Sequence, residues 1–246
     1  MAKEVNDNLI MVCGEAIAGK SASFLNLSNP TGVMYLNCES GKKLPFPAKF
    51  KQYTITDPLA IPQAFTAAET EPTLKDVHTI IIDSQTFLMN MFESVHVIPS
   101  ADTQSAWGNY AQYFKNLMQI NVAQSTKNVI FTAHVETLLN ENTGHFEKKI
   151  PVKGQLGKIG IESFFSCIVT ARKETLNTLE AYANPLLTIT ADDELVGYKH
   201  VFQTRHTKST VGERGMRAPM GMWEVKETFI NNDCQILLDR LNKFYN

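Results

Sequence analysis

Short apolar runs alternate with polar stretches along this chain. Leu9–Cys13, Val33–Cys38, His78–Asp83, Asn128–Ala133 and Phe165–Ala171 are each too short for a packed helix and rich enough in Val, Ile and Phe to be buried strands. Tyr198–Thr204 alternates apolar and polar positions like a strand with one solvated face. Helical spacing appears between the runs: at Leu59–Glu69 after Asp57-Pro58, at Phe87–Val97 and at Ser105–Gln124. In the last of these, Trp107, Tyr110, Tyr113, Phe114, Leu117, Met118 and Val122 recur at three and four residues, a core-packing stripe rather than a base-stacking platform. Asn232–Tyr245 closes the chain as an amphipathic helix with Ile236, Leu237, Leu241 and Phe244 on one side. Strands alternating with helices predict an α/β fold, its mainly parallel central sheet flanked by helices.

One stretch carries specific chemistry. Gly14 to Ser21, GEAIAGKS, fits G-x-x-x-x-G-K-[ST], between the strand Leu9–Cys13 and a helix expected over Lys20–Asn26. Gly14 and Gly19 let the backbone turn so that the N–H groups of Glu15, Ala16, Ile17, Ala18, Lys20, Ser21 and Ala22 face phosphate oxygens. The helix N-terminus adds positive potential. Lys20 is expected to reach the β- and γ-phosphates of ATP, and Ser21 to ligate Mg²⁺.

The ends of the other strands extend this reading. His78–Asp83 is an apolar strand ending in an acid, the Walker B pattern, which makes Asp83 the second Mg²⁺ residue. The next residue is Ser84, so this chain lacks the Asp-Glu pair with which many AAA-type ATPases polarise the attacking water. Glu39, just past Val33–Cys38, is the candidate for that role, since open α/β sheets hold ligands at the C-terminal ends of their strands. His134 follows Asn128–Ala133 and is placed to sense the γ-phosphate.

Two stretches are locally basic although the net charge of the 246 residues is −2. Glu136 to Gly157 reads as a long polar loop, and Lys148, Lys149, Lys153 and Lys158 outweigh Glu147 across residues 145–160. Arg205, Lys208, Arg214 and Arg217 similarly outweigh Glu213 over 205–217. With no global excess of positive charge, nucleic-acid binding would have to use such patches. Lys173–Val196 is more acidic and irregular, consistent with a hairpin excursion. No apolar run approaches a membrane span, and the polar N-terminus does not resemble a signal peptide. Cys13, Cys38, Cys167 and Cys234 are widely spaced, as expected for thiols in a reducing cytoplasm. The length suits one α/β domain over 1–246, with a core at about 8–210 and a C-terminal basic loop and helix over 205–246.

In order and spacing, GEAIAGKS, VMYLNCE, HTIIIDS, NVIFTAH, a Gly/Lys-rich stretch and a terminal R-x-x-K resemble the RecA/RadA-type P-loop ATPase core. The likeness is greatest to small RecA-like proteins of bacteriophages associated with single-strand annealing and recombination. The resemblance implies ATP and Mg²⁺ as ligands, Glu39 as the catalytic glutamate and single-stranded DNA as partner. It places the second DNA-binding loop at Glu136–Gly157 and makes Arg205 and Lys208 cations offered to a neighbouring subunit. His134 stands where RecA proteins usually carry glutamine. About eight residues precede the first strand, so the implied homo-oligomer is a ring or short filament, with phage replication or recombination proteins as further partners. The rival readings are a ring-forming motor or loader acting on protein or duplex DNA, and a nucleotide-gated regulatory module with little hydrolysis.

Overall fold

A computed structural model describes residues 6–140, 145–213 and 215–245. The strands are β1 (Leu9–Gly14), β2 (Val33–Asn37), β3 (Lys51–Thr54), β4 (Thr79–Asp83), β5 (Asn128–His134), β6 (Glu136–Asn140), β7 (His145–Lys149), β8 (Cys167–Thr175), β9 (Tyr198–Gln203) and β10 (Phe229–Asn231). Eight form one sheet in the order β10-β9-β8-β1-β5-β4-β2-β3. From β8 to β3 every pairing is parallel, while β9 and β10 extend the sheet antiparallel. This is the α/β architecture, a mainly parallel central sheet flanked by helices, expected from the strand–helix alternation.

The central strands are buried on both faces, which is why they read as continuous apolar runs. Met11, Cys13, Ile80, Ile82 and Phe131 pack on one side, with α1 (Ala60–Thr70), α2 (Gln85–Phe92) and α3 (Thr103–Asn116). Helices α2 and α3 each continue into a wider π turn, Glu93–Val97 and Leu117–Val122. The aromatic stripe of α3 is core: Tyr110, Tyr113, Phe114, Leu117, Met118 and Val122 are all buried.

Ile10, Val12, Tyr35, Ile81 and Ile130 face the other side, against Phe24, Leu27 and the C-terminal helix. Before that helix come α4 (Gly154–Ile159), α5 (Leu176–Glu180) and α6 (Ala191–Val196), so α7 is Cys234–Tyr245. The buried stripe of α7 is Cys234, Leu237, Leu238 and Leu241. It runs at i, i+3, i+4, i+7, and leaves Phe244 exposed, contrary to the face expected from sequence.

Three further expectations change. The helix expected over 20–26 is a single 3-10 turn, Ser21–Phe24. Its side chains compete for the backbone, as the Ser23 hydroxyl donates to the Lys20 carbonyl at 2.6 Å. In place of one long loop over Glu136–Gly157, the described residues form the antiparallel pair β6–β7 and the start of α4, because alternating residues can pair across two strands. The stretch after β8 holds the short helices α5 and α6, α6 opening with a Thr190–Asp193 capping box. The polar edge strand β3 carried no apolar signal, and the three-residue β10 one too short to mark a strand.

Candidate functional site

Strand register gathers the chemistry at one sheet edge. Gly14 is level with His134 across β1 and β5, and Asn37 is level with Asp83 across β2 and β4. The phosphate-type loop leaves that edge directly after β1. A Cβ on Gly14 would stand 2.5 Å from the Ala171 carbonyl oxygen, so this backbone approach admits glycine alone. Gly19 has φ +95°, and its Cβ would stand 2.8 Å from Asn232 Nδ2. Ile17 tips the loop and is 83% exposed. With only one helical turn behind it, the loop receives little helix-dipole potential, so its positive character comes from Lys20 and backbone N–H groups.

Lys20 is buried and donates to the carbonyls of Gly14 (2.9 Å) and Glu15 (2.8 Å). Burial lowers its pKa, against the attraction of Asp83 and Glu39. Asp83 accepts from Ser21 Oγ at 2.9 Å, from Tyr35 Oη at 2.7 Å, and from Thr132 Oγ1. Burial, and then Asp83, raise the Tyr35 phenol well above its ordinary pKa, so it remains a donor. Ser21 and Asp83 together offer hard oxygen donors, the set that suits Mg²⁺ with its remaining places taken by phosphate and water. Among the described residues no cluster of three or more His, Cys, Asp or Glu could hold a metal by itself.

Glu39 and His134, distant in sequence, meet beside this pair. Glu39 Oε1 lies 3.3 Å from His134 Nε2, and Glu39 Oε2 accepts from Lys42 Nζ at 2.9 Å. The His134 bond and then Lys42 outweigh the opposing effect of burial and hold the Glu39 pKa at about 2. The turn is set by Asn37, whose Oδ1 accepts from Glu39 N–H at 2.9 Å while its Nδ2 donates to the Lys42 carbonyl at 2.7 Å. His134 is fixed by its backbone N–H donating to Thr86 Oγ1 at 3.0 Å and by an edge contact with Phe87. A cleft of about 390 Å³ is lined by Ala16–Ala22, Glu39, Lys42, His134 and His200.

The predicted basic residues separate into distinct settings. Lys148 pairs with Glu15 of the loop at 2.9 Å and with Glu213 at 3.6 Å, and Lys153 pairs with Glu93 at 2.8 Å. Lys149 is half-buried on β7 and Lys158 is exposed on α4. Arg217 reaches the carbonyls of Glu162 and Ser163. Arg205 donates to the Trp223 carbonyl at 2.8 Å, beyond the end of β9 that runs away from the cleft, and Lys208 is exposed. Arg214 lies outside the described residues. Tyr35, Lys42, Thr132, His200 and Asn232 carried no motif: strand pairing brings in Tyr35, Thr132 and His200, the turn after β2 brings in Lys42, and the residue following β10 is Asn232. All four cysteines are free and buried, with burial raising each thiol pKa.

The glycine-cradled loop, the Ser21–Asp83 pair and the parallel sheet behind them define a P-loop ATPase domain. A family model described as an AAA domain matches residues 6–214, and the chain belongs to that family. No curated protein matches it. Among solved structures it is similar to the flagellar accessory protein FlaH from Methanocaldococcus jannaschii, at 13% identity over 81% of this chain and 78% of that one, with a TM-score of 0.35. No helix among the described residues is long and apolar enough to cross a membrane.

Proposed function

We propose that this chain binds ATP with Mg²⁺ and hydrolyses it, acting on single-stranded DNA in phage recombination or replication. The observation that carries the catalytic part is the meeting of Glu39 and His134 on the cleft that the Gly14–Ser21 loop lines. Lys20 and the loop N–H groups hold the phosphates, Lys20 exchanging its carbonyl partners for phosphate oxygens. Ser21 and Asp83 hold Mg²⁺, which supplies charge neutralisation for phosphoryl transfer. A carboxylate with a pKa of about 2 is a weak proton acceptor. Glu39 therefore orients the attacking water, and its basicity rises when His134 and Lys42 shift towards the phosphate. His134 senses the γ-phosphate by exchanging Glu39 for a phosphate oxygen.

The DNA part draws support from the position of the β6–β7 hairpin and α4, which follow the His134 strand and present Lys149 and Lys158. Lys148 and Lys153 already neutralise carboxylates of this chain, so they contribute less to a phosphate backbone. Arg205 and Lys208 are the cations for a neighbouring subunit in a homo-oligomer. One observation favours a second reading: both Glu39 oxygens are engaged, which suits a nucleotide-gated module with little hydrolysis.

The test is the ATPase rate without DNA, with single strands and with duplex, using Lys20→Ala as blank. Stimulation by single strands that the blank lacks is the expected result. A rate indifferent to DNA sinks the DNA reading, and a rate equal to the blank favours the gated module.

A further inference from the structure

A single helical turn is a weak anchor for a phosphate-binding loop. Its N–H groups can converge on an anion only if the attached carbonyls are turned outward and given donors there. In this chain those donors come from the far end of the sequence. His200 on β9 contacts the Ala18 carbonyl through Nδ1 at 3.1 Å, and Asn232, just after β10, donates Nδ2 to the Gly19 carbonyl at 2.8 Å. The next three residues tie down the turn that follows the loop. Cys234 Sγ lies 3.1 Å from Ser23 Oγ, Asp233 Oδ2 accepts from Asn26 Nδ2 at 2.9 Å, and Gln235 Oε1 accepts from Ser28 N–H at 2.9 Å.

We propose that His200 and Asn232 are positioning residues for nucleotide binding. With residues 233–235 they form a clamp that holds the Gly14–Ser21 loop in its phosphate-accepting shape. This inference rests on the nucleotide-binding reading above. It adds residues 232–235, which lie beyond the span matched by the family model.

The mechanism is local. The Ala18 carbonyl shares a peptide unit with the Gly19 N–H, and the Gly19 carbonyl with the Lys20 N–H. A donor on each carbonyl polarises that unit and makes its N–H a stronger donor towards phosphate. A carbonyl only accepts, so His200 must carry its proton on Nδ1 to bond there. Gly19 fits the same picture: a Cβ would stand 2.8 Å from Asn232 Nδ2 and 3.1 Å from His200 Nδ1, displacing both. Asn232 also keeps its Oδ1 buried without a partner, an unfavourable arrangement that persists alongside the Gly19 bond.

The experiment titrates a fluorescent ATP analogue with Mg²⁺ into the full chain and into Asn232→Ala, His200→Ala, His200→Asn and Lys20→Ala. The unfolding temperature of each protein is recorded without nucleotide. Loss of one such bond is expected to weaken binding about tenfold in Asn232→Ala and in His200→Ala. Their nucleotide-free unfolding temperatures should stay close to wild type. His200→Asn, whose amide nitrogen can take the place of Nδ1, should recover most of the affinity. Wild-type affinity in both alanine variants overturns the clamp, as does a loss that merely parallels a lower unfolding temperature and is not rescued by asparagine. A wild-type titration equal to that of Lys20→Ala overturns the nucleotide reading, and the clamp with it.

Discussion

Replacing Glu39 with Gln keeps the side chain's shape and removes the charge that holds Lys42 and His134. The carboxylate falls from its ordinary 4.5 to about 2, which at about 1.36 kcal/mol per pH unit sets an upper bound of about 3.4 kcal/mol. The Lys42 side chain is 64% exposed and solvent screens its share, so about 1–2 kcal/mol is the expected loss in Glu39→Gln at pH 7. The sign follows from the depressed pKa. The stabilisation is fully present above pH 4.5 and is lost as pH falls from 4.5 towards 2. Denaturant melts of both proteins from pH 7 to pH 3 should therefore show a gap that narrows only below about pH 4.5. In the same variant the ATPase rate should fall by about a hundredfold or more, with nucleotide affinity changed only a few-fold. A stability gap constant over that pH range would refute the ion-pair account. An unchanged ATPase rate would refute Glu39 as the water-orienting group.

Two further outcomes test other parts of the structure. Lys149→Glu with Lys158→Glu should weaken single-stranded DNA binding and lower the slope of log affinity against log salt by about 1–2, read from titrations at several salt concentrations. Normal binding with an unchanged slope would remove the hairpin and α4 from the DNA reading. Gly215→Ala would put a Cβ 2.4 Å from Thr170 Oγ1 and 2.6 Å from Cys13 Sγ, so the chain should lose about 1–3 kcal/mol in denaturant melts. A neutral result would mean that the 215–217 segment is not packed against β1 and β8.

Much of the fold was legible because a strand buried on both faces must be apolar throughout, so β1, β2, β4, β5 and β8 stand out locally. β3 did not, since an edge strand with polar residues carries no such mark, and β10 is only three residues long. β6 and β7 carry no strand mark in the sequence because their residues gain strand character only by pairing with each other. The buried face of α7 differs from the expected one because several phases of a short helix look apolar, and contact with Phe24 and Leu27 selects one.

For the site, the eight residues from Gly14 to Ser21 specify their chemistry unaided, since the turn, the N–H groups, the lysine and the hydroxyl are contiguous. Strand ends marked Asp83, Glu39 and His134 as polar residues at a ligand-facing edge. Only the tertiary structure decided that Glu39 touches His134, that Tyr35 and Thr132 hold Asp83, and that His200 and Asn232 grip the loop. Those contacts depend on which strands are neighbours and in what register. Register is set by the packing of whole faces, which no single polar residue records in the sequence.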